Sequence, residues 1–168
     1  MRHVMENGAT KTDRTGVGTI SVFGYQMRFD LADGFPSLTT KKMHLRSIIY
    51  ELLWFLRGDT NVRYLQENGV SIWDEWADEE GTIGKAYGYQ MAKKYKFKQG
   101  EMDQVDNVLW CLKNDRYSRR IMTNLYNFED LSEMRLEPCA YSMTFNVKGD
   151  TLNGILNQRS QDILAANN

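Results

Sequence analysis

The sequence predicts an α+β fold: a mixed, largely antiparallel, bulged sheet packed on a long buried central helix. Three observations predict it. Residues 41–57 are apolar nearly all round at helical spacing. Residues 19–31 and 141–148 alternate apolar and polar at strand spacing. Between 141–148 and a second strand at 151–160, Gly149-Asp150 supplies the turn residues of a hairpin.

Along the chain, Ile20 and Val22, then Tyr25, Met27, Phe29 and Leu31 mark the first strand. Their parity changes at Phe23-Gly24, where one extra residue flips every later side chain, so a bulge or kink is expected there. In 41–57, Ile48, Ile49, Leu52, Leu53, Phe55 and Leu56 span a wide arc, which predicts the central helix. Residues 60–69 give a short helix ending at Gly69. Residues 103–114 place Val105, Val108, Leu109 and Leu112 on one helical face. A further strand is expected at 120–126, and Tyr141, Met143, Phe145 and Val147 should line one face of the next.

A chain of 168 residues with 42% hydrophobic content suggests one domain covering 1–168. Such a domain can bury about 70% of its unfolded surface. Lysine and arginine number 21 against 22 acids, which argues against a general nucleic-acid or membrane-surface binder. Two cysteines are too few for a disulfide framework, two histidines too few for a histidine-rich zinc site, and no metal is expected. The longest apolar run, 48–56, is interrupted by Glu51, and the first residues hold no secretory signal, so a cytoplasmic protein is expected. The end, Asp162-Ile-Leu-Ala-Ala-Asn-Asn168, has no cap or stop signal and reads as truncated.

Glu51 projects between Trp54 and Phe55 on a helix with little polar face. Desolvation there would raise its pKa and suit it to proton transfer in a closed site; a hydrogen bond to a neighbouring strand, or a reach to the surface, is the plainer alternative. Cys139 follows Pro138 just before a strand. It is either a small apolar filler or a nucleophile activated by nearby cations, with Arg119, Arg120 and Arg159 as candidates. Cys111, beside Trp110 and Leu112, reads as structural. Arg14 in a glycine-rich loop, the Arg119-Arg120 pair, and Arg159-Ser160 beside Gln158 could fork a phosphate or pair with surface carboxylates. Trp73 and Trp76, flanked by acids, suit either core or a planar heterocycle.

Several runs, in this order, resemble the thymidylate synthase family along essentially the whole chain. They are Asp13-Arg-Thr-Gly-Val-Gly-Thr19, Gln26-Met-Arg-Phe-Asp30, Phe35-Pro-Ser-Leu-Thr-Thr-Lys-Lys42 and His44-Leu-Arg-Ser-Ile-Ile49. Glu51-Leu-Leu-Trp-Phe-Leu56, Gly58-Asp-Thr-Asn61 and Ile72-Trp-Asp-Glu-Trp-Ala-Asp78 follow, then Ser118-Arg-Arg120 and Gln158-Arg-Ser160 with Asp162. The resemblance implies the thymidylate synthase fold and reductive methylation of dUMP to dTMP, with 5,10-methylenetetrahydrofolate as co-substrate and no metal, nicotinamide or flavin. It implies Cys139 as nucleophile toward C6 of the pyrimidine, Glu51 as the carboxyl organising proton transfers, and Tyr87 as part of that network. Arg14, Gln158, Arg159, Ser160 and Asp162 match nucleotide ligands, while Arg119 and Arg120 match a pair reaching the neighbouring subunit's phosphate, which implies a homodimer. Lys41, His44, Ile72, Trp73 and Trp76 match the folate side of the cleft.

The chain departs from the family's pattern at Ala140, where a histidine usually follows the cysteine, and at Ile83-Gly84-Lys85, where Leu-Gly-Pro is usual. Leu164-Ala-Ala-Asn-Asn168 replaces a Leu-Gly segment. The family's base-reading asparagine, ribose-binding pair and closing C-terminus would lie beyond residue 168, so the chain alone is expected to be inactive. Two other readings stay open: a dUMP or dCMP hydroxymethylase on the same scaffold, and a catalytically silent nucleotide- or RNA-binding homologue.

Overall fold

The computed structural model describes residues 1–12, 16–37 and 42–163. They fall into two compact units, one built on residues 1–43 and the other on His44–Asp162. In the first, helix α1 (Arg2–Asn7) leads into β1 (Ala9–Lys11), which pairs antiparallel with β2 (Thr19–Ser21), Ala9 opposite Ser21. The strand expected over 19–31 ends at Ser21, and the chain bends at Phe23 with Gly24 at φ +73°, a conformation glycine adopts without penalty. Tyr25, Met27 and Phe29 lie exposed. A period-2 pattern becomes a strand only where a ladder partner exists, and among the described residues none continues past Ser21. A 3-10 turn, Leu31–Asp33, follows; Asp30 Oδ1 accepts from the Ala32 N–H at 2.9 Å.

The second unit begins with α2 (Leu45–Leu56), shorter than the helix expected over 41–57. Its burial also differs from expectation. Trp54 is fully buried, but Leu45, Ile49, Leu52, Leu53 and Leu56 are each between 41% and 56% exposed. An apolar face is buried only where another element covers it, and the neighbours of α2, namely α3 (Arg63–Glu67) and α4 (Tyr87–Ala92), pack on the Trp54 side. The helix expected from residue 60 starts at Arg63 because Asp59 and Asn61 fold the preceding turn. Asp59 Oδ1 accepts from the Asn61 N–H at 2.9 Å, and Asn61 Oδ1 from the Arg63 N–H at 3.0 Å.

Between α4 and α5 (Gln104–Asn114) lies a small hairpin, β3 (Tyr95–Phe97) with β4 (Gly100–Met102), which was not among the expected elements. Helix α5 matches expectation: Asp103 caps it by accepting from the Asp106 N–H at 2.8 Å. A three-stranded antiparallel sheet completes the unit in the order β5 (Met122–Asn124), β6 (Ala140–Lys148), β7 (Thr151–Gln158). Gly149, at φ +60°, makes the predicted turn. The bulge in this sheet lies between Ala140 and Ser142, which buries Ser142 and leaves Met143 partly outside, against the expected alternation. Every ladder among the described residues is antiparallel.

The main core gathers Trp54, Leu65, Ile83, Ala86 and Tyr87. A smaller core under the sheet holds Val108, Cys111 and Ile121. Buried Gln104 ties them together: its amide donates to Gln90 O at 2.9 Å and Asn124 O at 2.8 Å, and its carbonyl accepts from Asn124 N at 2.6 Å. A buried amide so satisfied fixes α5 against α4 and β5.

Candidate active site

The site lies within the second unit, where β6 and β7 begin and end beside each other. Ala140 pairs with Gln158, so the residues just outside the ladder, Cys139 and Arg159, are neighbours; the Arg159 N–H donates to Cys139 O at 2.9 Å. The Arg159 guanidinium turns back on the loop before the cysteine. Its Nε donates to Pro138 O at 3.0 Å and its Nη2 to Glu137 O at 2.8 Å. These two bonds use two of the five donors a guanidinium carries. Glu137 is also held by its side chain, which accepts from Tyr126 Oη at 2.6 Å. The loop carrying Cys139 is thus fixed at its carbonyls while the thiol stays half-buried.

From α4, Tyr87 reaches the same loop. Its hydroxyl accepts from the Cys139 N–H at 2.9 Å. The ring is 8% exposed and stacks on Phe55 of α2, with centroids 4.7 Å apart and planes 19° apart. Trp73 meets both rings edge-on, at 5.6 Å from Tyr87 and 5.9 Å from Phe55. Offset and edge-to-face pairs of this kind add to the stability of a core beyond burial alone. The indole Nε1 of Trp73 then donates to Glu51 Oε1 at 2.7 Å. One connected series therefore runs from the Glu51 carboxyl through the Trp73 and Tyr87 rings to the Cys139 amide and on to Arg159.

Burial pushes the Glu51 carboxyl above its ordinary range, and the Trp73 bond pulls it part of the way back. Burial likewise pushes the Tyr87 phenol up, against the lowering effect of the Cys139 N–H it accepts. The phenol therefore keeps its proton at neutral pH and can accept and donate at once. A carboxyl that titrates high, a protonated phenol and a half-buried thiol anchored beside a guanidinium can together relay protons around a nucleophilic sulfur.

The other predicted residues fall differently. Gln158 ends β7 opposite Ala140; Ser160 and Asp162 follow Arg159 and are exposed, and Asp162 O accepts from Gln161 Nε2 at 3.1 Å. Arg119 and Arg120 are exposed on the turn between α5 and β5, where the Arg120 N–H meets Ser118 Oγ at 3.4 Å. Ile72 and Trp76 are half-buried against the core beside Trp73. His44 is exposed at the N-terminus of α2 and makes no capping bond. Arg14 and Lys41 lie outside the described residues. Cys111 is buried, and burial raises its thiol.

Residue patterns did not reveal Phe55 as the ring under Tyr87, nor the use of the Trp73 indole N–H on Glu51. Phe55 was hidden in an apolar run, and the Glu51 partner lies 22 positions away. At Lys85, where the family pattern has proline, the backbone N–H donates to Glu133 O at 3.0 Å, a bond proline cannot make. Among the described residues no group of His, Cys, Asp or Glu is placed to hold a metal ion. No helix among them is long and apolar enough to cross a membrane.

A family model described as thymidylate synthase matches residues 1–168. Among solved structures, the thermostable thymidylate synthase A from Bacillus subtilis is similar with a TM-score of 0.84 and 41% sequence identity. The match covers 96% of this chain and 62% of that one, so the chain spans less than two-thirds of its relative's length. Helix, antiparallel sheet and collinear motifs thus agree with the thymidylate synthase fold, and the chain belongs to the thymidylate synthase family.

Proposed function

We propose that this chain forms the nucleophile-bearing part of an enzyme that converts dUMP to dTMP, a methyltransferase of nucleotide biosynthesis. The observation that carries this reading is the placement of Cys139 between the Tyr87 hydroxyl and Arg159, with Glu51 joined to the same cluster through Trp73. A thiol in that setting suits addition to C6 of a pyrimidine, which places carbanion character on C5.

In this reading the co-substrate 5,10-methylenetetrahydrofolate supplies both the one-carbon unit and the hydride, and leaves as dihydrofolate. The residues of the chain do the rest. Cys139 Sγ forms the bond to C6. After C5 has bonded the one-carbon unit, loss of the C5 proton expels the folate nitrogen and leaves a methylene on C5. Sγ leaves C6 as hydride reduces that methylene and C5=C6 re-forms. Glu51, its carboxyl raised by burial, receives and returns protons with Tyr87 as its intermediary toward the sulfur. Arg159, with Arg14, Gln158, Ser160 and Asp162, holds the nucleotide; guanidinium forks fit a phosphate monoester. Arg119 and Arg120, exposed on their turn, serve the partner's phosphate in a homodimer. Lys41, His44, Ile72, Trp73 and Trp76 line the folate side, where the indoles keep water from the methylene carbon.

The test is the identity of the folate product. In a chain extended to the length of the Bacillus subtilis relative, dUMP and methylenetetrahydrofolate should give dTMP and dihydrofolate in equal amounts, and Cys139→Ser should abolish both. Release of tetrahydrofolate with a hydroxymethylated nucleotide would replace this reading by a hydroxymethylase. No turnover, with nucleotide still bound, would replace it by a silent binder.

A further inference from the structure

Asp130 is only 5% exposed, yet it carries a full carboxylate. Four donors meet it: Gln90 Nε2 at 2.9 Å, Lys93 Nζ at 2.6 Å, Asn127 Nδ2 at 2.8 Å, and Lys85 Nζ at 3.4 Å. Asn127 belongs to the same turn as Asp130. The other three belong to α4 and its two ends: Lys85 just before the helix, Gln90 within it, Lys93 just after it. Gln90 Nε2 also donates to Lys85 O at 2.9 Å, so the amide that meets the carboxylate also ties the start of the helix to its own middle. Lys85 is fixed again by Glu133, through its ammonium at 2.6 Å and its N–H at 3.0 Å.

A helix of six residues cannot hold its geometry alone, because helices under about 12–15 residues are marginal in water. The placement of α4 must therefore come from tertiary contacts. On one side it is pressed against the Asp59 backbone: a Cβ on Gly88 would stand 2.2 Å from Asp59 O. On another side the Asp130 carboxylate gathers its two ends. The first residue of this helix is Tyr87, whose hydroxyl meets the Cys139 N–H at 2.9 Å. Asp130 itself touches neither Tyr87 nor Cys139 in any bond given by the structure.

We propose that Asp130 is a positioning residue for the Cys139 site: by drawing Lys85, Gln90 and Lys93 together it sets α4, and so sets the Tyr87 hydroxyl against the Cys139 amide. What Cys139 does chemically rests on the reading above; its placement does not. The test therefore reads placement. Hydrogen exchange of the Cys139 amide is followed by NMR in the folded protein for Tyr87→Phe, Asp130→Asn, and the double variant. Tyr87→Phe sets the full effect, about tenfold faster exchange on losing one hydrogen bond. Asp130→Asn should approach that value, and the double variant should not exceed Tyr87→Phe alone. Arg116→Ala, which breaks a bond to Gly149 O on the β6–β7 turn, should leave this amide unchanged. If Asp130→Asn does not fold, Lys85→Met and Lys93→Met each remove one arm and should each give a smaller increase. Unchanged protection of the Cys139 amide in the folded variants would overturn the proposal. So would an Asp130→Asn effect that adds in full to Tyr87→Phe, because that is the mark of general loosening. Neither result depends on turnover, so a failed thymidylate reading is told apart from a failed positioning role.

Discussion

Replacing Trp73 with phenylalanine separates two contributions that overlap in the native protein. The ring is 7% exposed and touches Trp54, Phe55 and Tyr87, so the smaller ring leaves a gap. Deleting a whole buried aromatic costs about 3–5 kcal/mol; losing part of one should cost ~1–2 kcal/mol at any pH. The second loss is the 2.7 Å bond to Glu51 Oε1. It is worth about 1.5–3 kcal/mol to an ionised carboxylate and about 0.5–1.5 kcal/mol to a neutral acceptor. Burial holds the Glu51 pKa above its ordinary 4.5, and the Trp73 bond lowers it. A carboxyl raised on folding contributes stability that is complete below its unfolded value and is lost as pH rises through its folded value. Without the indole the folded value climbs further, so the variant loses more over that range. The stability gap between native and Trp73→Phe should be ~1 kcal/mol wider at slightly alkaline pH than in mild acid, while the packing loss cancels. Urea unfolding followed by far-ultraviolet circular dichroism across that range measures it. In a Glu51→Gln background the gap should be independent of pH. Parallel profiles for native and Trp73→Phe would refute the coupling.

Asp130 should act with the opposite sign. Its donors, Gln90 first and then Lys93, hold its pKa down from 3.8 to about 2, so its contribution is present above the ordinary carboxylate range and is lost as pH falls through about 2. Linkage gives about 2 kcal/mol, reduced to ~1 kcal/mol because Lys85 and Lys93 are a quarter to a third exposed to screening solvent; acid unfolding of Asp130→Asn should be correspondingly shallower. Gly88→Ala should destabilise by about 1–3 kcal/mol, because the 2.2 Å approach to Asp59 O outweighs the ~1 kcal/mol gain in helix propensity; a raised Tm would contradict that packing. Iodoacetamide should label half-buried Cys139 well before buried Cys111, as peptide mapping by mass spectrometry can show. Equal labelling of the two would mean the cysteine loop is not held as described.

Elements fixed by local chemistry were legible in the sequence. The spacing of Val105, Val108, Leu109 and Leu112 marked α5, and Gly149-Asp150 marked the β6–β7 hairpin. Elements that depend on distant partners were not. The alternation over 19–31 found a ladder only at Thr19–Ser21, and the apolar face of α2 found cover only on the Trp54 side. The β3–β4 hairpin was not among the expected elements: Tyr95 and Phe97 do alternate with lysines 94, 96 and 98, but two apolar positions are too short a run to stand out. At the site, residue chemistry singled out Glu51 and Cys139, but the bond from Cys139 to Tyr87 spans 52 positions and that from Glu51 to Trp73 spans 22, and no local period encodes either. The family motifs supplied Tyr87; only the folded chain shows that its hydroxyl accepts from the Cys139 N–H, and that Arg159 holds the carbonyls of Glu137 and Pro138. Asp130 gave no sequence signal, since a single acid in a turn looks like any solvated aspartate.

The most direct measurement is covalent trapping of a 5-fluorinated dUMP with methylenetetrahydrofolate, in a chain extended to the length of its relative. Fluorine at C5 leaves no proton whose loss would expel the folate, so the sulfur, the nucleotide and the folate stay joined and the adduct persists. Mass spectrometry should find nucleotide and folate together on the peptide bearing Cys139, and none on the Cys139→Ser variant. An adduct on Cys111, or no adduct while both compounds bind, would contradict the assignment of Cys139 as the attacking sulfur.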